Sequence, residues 1–292
     1  MMKASDYMSK IIITTDSTAD ISEEIAKKYN IRVAPLHVLY NDEDFTDGED
    51  ITPEYILERY KEKGELPSTS AVTPQGYHQF FKKILKEGYD EIVHIAFASD
   101  MSSTCQNAVI VAEEFEGKVH VVDSRVLSCG MMLLAIRACE LRDMGFSGEK
   151  IAAGVSALVD KNVGGFILSQ LEFLHKGGRC SAVSLLGANL LNIKPSIIVN
   201  DGAMTVGKKY RGKDEIVRLK YMQDVIDQYR DVIDTRRIVM HSTCDFTEKE
   251  RKFYKKELKK LIDCDELIVS TAGCVITSHC GPGTFALFFM TK

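Results

Sequence analysis

Four short apolar runs constrain this chain more than any other feature. They are Ile11 to Thr15, Val33 to Tyr40, Ile92 to Phe97 and Val119 to Val122, and each gives way to a helical pattern. Their apolar residues are consecutive rather than alternating, as in strands covered on both faces, and the intervening helices supply the cover. That combination implies a parallel α/β sheet. The helix starts carry the expected punctuation. Asp20-Ile21-Ser22-Glu23-Glu24 opens a helix reaching about Tyr29, while Thr52-Pro53 and Thr73-Pro74 put a capping threonine before a proline at the first helical position. Pro35, inside the second run, marks an edge strand.

Beyond a transition between Gly148 and Asp160 the pattern changes. Phe166 to Leu168, Ser196 to Val199, Met204 to Gly207, Arg237 to Met240, Glu266 to Val269 and Thr284 to Met290 read as strands, and Asn200-Asp201-Gly202 reads as a hairpin turn. We therefore expect two domains. Residues 1–155 form an α/β unit with a parallel sheet flanked by helices, and residues 156–292 an α+β unit with a mixed, mostly antiparallel sheet. A chain of 292 residues is long enough for two cores.

Several function classes are disfavoured. A net charge of −5 argues against nucleic acid or an anionic membrane surface. The basic stretch Lys249 to Lys260 alternates with apolar residues and reads as the solvated face of an amphipathic helix. No apolar run is long enough to span a bilayer, and Met1 to Lys10 is polar, without a signal-peptide core, and reads as a short disordered lead. The eight cysteines form no CxxC pair, so they are expected to be reduced thiols of a cytoplasmic protein with no structural zinc. Asp42, Asp44 and Asp47 lack the calcium-loop pattern, and neither GxxxxGK[ST] nor a strand-borne GxGxxG is present.

Candidate chemistry gathers at the carboxyl ends of the parallel strands, where open sheets bind ligands. Those ends read Asp16-Ser17-Thr18, Ala98-Ser99-Asp100-Met101-Ser102-Ser103 and Asp123-Ser124, with the polar loop Ser68-Thr69-Ser70 nearby. Each is also a good helix cap, so capping and anion binding both stay open. His279 precedes the turn Gly281-Pro282-Gly283, where it is either structural or a donor to a carboxylate. Its neighbour Cys280 is not expected to act as a nucleophile, because adjacent side chains rarely face each other. Lys176-Gly177-Gly178-Arg179 is either a helix C-cap or a phosphate or partner contact by Arg179.

Together these residues resemble the DegV-like fatty-acid-binding proteins of bacteria. The pieces are Thr15 to Asp20, Val33 to Leu36, Asp47-Gly48, Pro67 to Ser70, Met101 to Ala108, Val122 to Ser124, Lys176 to Arg179, Leu190 to Pro195 and His279 to Gly283. The resemblance implies a long-chain fatty acid such as palmitate, stearate or oleate between the two domains, with its tail in an apolar tunnel. It implies a carboxylate held by Thr69, Ser70, Ser99, Ser102, Ser103 and His279, and no cofactor or metal. It further implies a non-catalytic carrier that presents the acyl chain to a separate ATP-dependent fatty acid kinase, with Arg179, Asp16 and Ser17 as phosphate or partner contacts. Two departures stand out: Ala71-Val72 replaces Gln-Pro, and Ser103 stands where the family has glycine. The competing readings are a small-molecule phosphotransferase or hydrolase using the serines, Asp16 and His279, and a regulatory binding module without a kinase.

Overall fold

The computed structural model describes residues 9–41, 43–181, 193–244 and 246–292. The lead Met1 to Met8, Asp42 of the acidic loop and the motif residues Leu190 to Asn192 lie outside the described residues.

All four apolar runs contribute a strand to the parallel sheet. Its order is β2 (Ile31–Ala34), β1 (Ile11–Asp16), β6 (Glu91–Ala96), β7 (Val119–Asp123), all parallel. Strand order reverses between β1 and β6, which opens a crevice at their carboxyl ends. The helices α1 (Glu23–Tyr29), α2 (Pro53–Lys63), α3 (Pro74–Lys86), α4 (Thr104–Ala112), α5 (Cys129–Asp143) and α6 (Gly148–Ser156) belong to the same half. Thr52 and Thr73 cap α2 and α3 by accepting from Tyr55 N and Gly76 N, as their sequence implies.

The run Val33 to Tyr40 is corrected to two strands. Pro35 lacks an amide donor, and the chain leaves the parallel sheet there. Leu36 N donates instead to Ser17 Oγ at 3.0 Å. β3 (His37–Tyr40) then starts a separate antiparallel sheet of order β4 (Glu43–Thr46), β3, β5 (Ser68–Ser70). The polar loop at Thr69 is thus an edge strand, with Thr69 opposite Val38. Asp20 does not open α1 either: it sits at φ +51°, and Ser22 caps the helix through Ile25 N.

The second sheet has the order β10 (Ala203–Arg211), β9 (Ile193–Asn200), β8 (Asn162–Ile167), β13 (Phe285–Thr291), β11 (Ile233–Ser242), β12 (Glu266–Thr271). All its pairs are antiparallel except β11 with β12. Asp201 and Gly202 join β9 to β10 at φ +50° and +77°, the two positive values a tight hairpin turn requires. This half also carries α7 (Glu172–Gly177), α8 (Asp214–Tyr229), α9 (Glu248–Leu261) and α10 (Cys274–Cys280). The basic segment is α9, which buries Tyr254 and Leu258 and turns its lysines outward.

α5 holds the two sheets together. Every residue from Cys129 to Ile136 is buried, so the helix is apolar all round. It packs on β1 and β6 of the parallel sheet and on β8 and β13 of the mixed one. One apolar core accordingly runs from Ile13, Val93 and Ile95 through α5 to Phe166, Val239 and Phe288.

Candidate functional site

A cavity with about 540 Å³ of empty space, partly open to solvent, lies where the crevice of the parallel sheet meets the mixed sheet. Its apolar wall comes from elements far apart in sequence. Leu36 lies in the link between β2 and β3, Phe97 and Met101 follow β6, and Leu127 precedes α5. Phe166 lies in β8, Leu174 in α7 and Met204 in β10, while Val275 and Ile276 belong to α10. Into this apolar lining project Thr69, Ser70, Ser102, Arg179 and His279.

The polar groups are linked to one another. Thr69 Oγ1 lies 2.8 Å from His279 Nε2. Burial and, after it, the Arg179 charge push the His279 pKa down to about 4, so the ring is neutral at neutral pH. Its other nitrogen, Nδ1, is buried without a partner against Gly177. We assign the proton to Nε2, because the alternative tautomer would bury an unpaired N–H. His279 then donates to the Thr69 oxygen, and the threonine hydroxyl hydrogen is free to point at a ligand. Arg179 donates from Nη1 to Gly177 O at 2.8 Å and from Nε to Met101 O at 3.4 Å, and the residue stays exposed. Ser102 shares a 2.8 Å hydrogen bond with Thr104 and accepts from Thr104 N, which fixes it at the entry to α4. A cation and hydroxyl donors beside apolar walls suit an amphipathic anion.

Four candidates from the sequence do not line this cavity. Asp16 is fully buried: Oδ1 accepts from Tyr77 Oη and faces His94 Nε2 at 3.3 Å, and Oδ2 accepts from Phe97 N at 2.7 Å. It anchors the loop after β6 from beneath. Ser17 Oγ is engaged by Leu36 N. Ser99 is exposed and turned to Asp123, donating from its hydroxyl at 2.6 Å and from its amide at 3.2 Å. Ser103 is exposed at the start of α4 with φ −70° and ψ −2°, a backbone any residue adopts, so its departure from glycine brings no strain. His279, read as a loop residue, lies in the last turn of α10.

The sequence reading missed the apolar wall and two buried polar clusters. His94 bonds Thr14 Oγ1 at 2.9 Å beside Tyr77 and Asp16, and His241 sits with Asp20, Ser128 and Cys129. A histidine inside an apolar strand run, His94, and one directly after such a run, His241, were the available signals. Among the described residues, no group of three or more His, Cys, Asp or Glu side chains is placed to hold a metal ion, and no helix is long and apolar enough to cross a membrane.

Comparison with known proteins settles the family. The family model "Uncharacterised protein, DegV family" matches residues 10–292. The chain belongs to the DegV family. A DegV domain-containing protein of Clostridium acetobutylicum is 32% identical over 286 residues, covering 98% of this chain and all of the relative. Among solved structures, a DegV family protein of Thermus thermophilus described as fatty-acid binding superposes with a TM-score of 0.85. It is 28% identical and covers 97% of this chain and 100% of its own. A DegV lipid-binding protein of Thermotoga maritima superposes at 0.82 with 27% identity, covering 97% of this chain and 98% of its own. DegV relatives thus include fatty-acid binders that match this fold from end to end.

Proposed function

We propose that this DegV protein binds one long-chain fatty acid, with the carboxylate at Thr69, Ser70, Ser102, His279 and Arg179 and the tail along the apolar wall. The observation that carries this reading is the Thr69–His279 pair beside Arg179 inside an otherwise apolar cavity. Removing a C16 tail from water at ~0.8 kcal/mol per CH₂ supplies roughly 10 kcal/mol before association costs. A buried carboxylate without donors would cancel several kcal/mol of that. The hydroxyl hydrogens and the guanidinium supply those donors. Neutral His279 contributes orientation rather than charge.

The ligand lies on this reading between residues 1–155 and residues 156–292, the seam falling between α6 and β8. The chain acts as a non-catalytic carrier in the cytoplasm and presents the acyl carboxylate to a separate ATP-dependent fatty acid kinase. Exposed Arg179, on the cavity wall yet facing solvent, is the contact for the incoming phosphoryl group or for the kinase. A hydrolase or phosphotransferase reading would need Asp16 beside the serines, and its oxygens are engaged beneath the loop.

The test is mass spectrometry of detergent-free protein, native and after organic extraction. Stoichiometric C14–C18 fatty acid supports the proposal. Empty protein that also fails to take up added oleate or palmitate rejects it.

A further inference from the structure

The buried cluster around His241 lies outside the lipid-binding residues and joins both halves of the chain. Cys129 Sγ is 3.2 Å from His241 Nδ1, and His241 Nε2 is 3.1 Å from Asp20 Oδ2. Thiol, imidazole and carboxylate in that order have the connectivity of a cysteine nucleophile with its base and orienting acid. Burial rules that use out. Cys129 exposes no surface and His241 only 3%, so no substrate can reach the sulfur.

The same geometry makes a junction. Asp20 follows β1, Ser128 and Cys129 begin α5, His241 lies in β11, and Gly273 precedes α10. Asp20 accepts from three of these segments: Ser128 Oγ and His241 Nε2 reach Oδ2, and Gly273 N reaches Oδ1 at 2.7 Å. The segments started here wall the cavity: α10 through Val275, Ile276, His279 and Cys280, and the turn leading into α5 through Leu127. Ser128 holds φ +52° and ψ −134°, a conformation rare for a residue with a side chain, and its hydroxyl is fastened to Asp20.

We infer that Asp20 and His241 form a buried ion pair that clasps the two sheets and acts as the positioning pair for fatty-acid retention, holding the starts of α5 and α10 against the acyl chain. This rests on the fatty-acid reading above. The groups facing His241 are Asp20 from the β1 side and Ser128 and Cys129 from α5, with the Phe288 ring of β13 packed 6.1 Å away and Asp47 beyond Asp20 at the start of α10. Burial opposes a charged ring, but the Cys129 and Asp20 contacts outweigh it and lift the His241 pKa to about 10. A raised histidine pKa stabilises fully below its unfolded value of about 6.5, and the contribution is lost as pH climbs towards about 10.

The experiment follows release of cis-parinaric acid, a fluorescent long-chain fatty acid, from the full-length protein into phosphatidylcholine vesicles by stopped flow. Circular dichroism at each pH establishes that the protein remains folded. We expect the wild-type release rate to rise about tenfold between about pH 8 and pH 10.5. We expect His241→Gln and Asp20→Asn to release about tenfold faster at pH 8 and to show a flattened profile. A flat wild-type profile overturns the inference even if neither variant folds. Folded variants that lose thermal stability but release lipid at the wild-type rate, with the wild-type profile, overturn it too, since the cluster is then structural only. Wild-type protein that takes up no parinaric acid refutes the fatty-acid reading itself, and the inference with it.

Discussion

Gly177→Ala tests the head-group geometry with a single added methyl group. Gly177 is the last residue of α7, and a Cβ built there would lie well under 3.0 Å from His279 Nδ1 and 3.2 Å from its Cε1. Ordinary contact begins at about 3.4 Å, so the ring must shift by roughly 1 Å. A 2.8 Å bond to Thr69 does not survive that shift: pushed inward it clashes, and turned aside it breaks. Thr69 then loses the donor that orients its hydroxyl, whose hydrogen is no longer aimed at the ligand. Hydrogen bonds to a charged group contribute about 1.5–3 kcal/mol, so the variant should bind fatty acid about 10- to 100-fold more weakly. The effect on the fold should be smaller than that on binding, because alanine gains up to about 1 kcal/mol of helix propensity over glycine, which offsets part of the cost of displacing the buried ring. The assay pairs fluorescence titration with cis-parinaric acid and urea unfolding of the ligand-free protein. Binding within about twofold of wild type would refute the assigned role of the Thr69–His279 pair.

Thr69→Val removes the hydroxyl without changing shape and should weaken binding by about 1.5–3 kcal/mol in the same titration, while also lowering the unfolding midpoint because His279 Nε2 loses its partner. His279 is held neutral in the fold, with a pKa near 4, so the unfolded chain takes up its proton first as pH falls. Stability of the ligand-free protein should therefore drop from about pH 6.5 towards pH 4, and His279→Gln should flatten that slope in urea titrations at stepped pH. Arg179→Ala should raise the His279 pKa, read by NMR titration of the ring, because the neighbouring charge that opposes protonation is gone. The same variant should bind fatty acid more weakly by about 1.5–3 kcal/mol and, at saturating lipid, lose acyl-phosphate formation with a cognate kinase; retained turnover would remove Arg179 from the handover.

The parallel sheet and the β9–β10 hairpin were legible because their signals are local: apolar runs, Thr-Pro helix starts and an Asp-Gly turn each act over a few residues. The family resemblance was legible for a different reason, the joint order of short motifs. The run Val33 to Tyr40 reads as one edge strand because a proline signals an edge as readily as a break and does not say which sheet the next residues join. Thr69 reads as a polar loop, and only pairing with Val38 makes it a strand. Ser102 and His279 line the candidate cavity, yet Ser99 and Ser103 stand within a few residues of Ser102 and do not. Position along a loop does not set the direction of a side chain. Asp16 fits a ligand motif and a buried anchor equally well in sequence, and the contact that decides, Phe97 N at 2.7 Å, spans 81 residues. The apolar wall drawn from β2–β3 through α10 has no sequence signature at all, since an apolar residue facing a ligand looks like one facing a core.

The helix that carries His279 has seven residues, far fewer than the ~12–15 an isolated helix needs to be even marginal in water. It persists because Asp20 and Asp47 accept its first two amides, 253 and 227 residues away in the chain, and because Thr243 takes the Gly281 carbonyl at its far end. On the fatty-acid reading, recognition of the cargo is consequently inseparable from completion of the whole tertiary structure: neither half alone would be a lipid-binding module, and a nascent chain would have no receptor for fatty acid until α10 has docked onto loops made at the start.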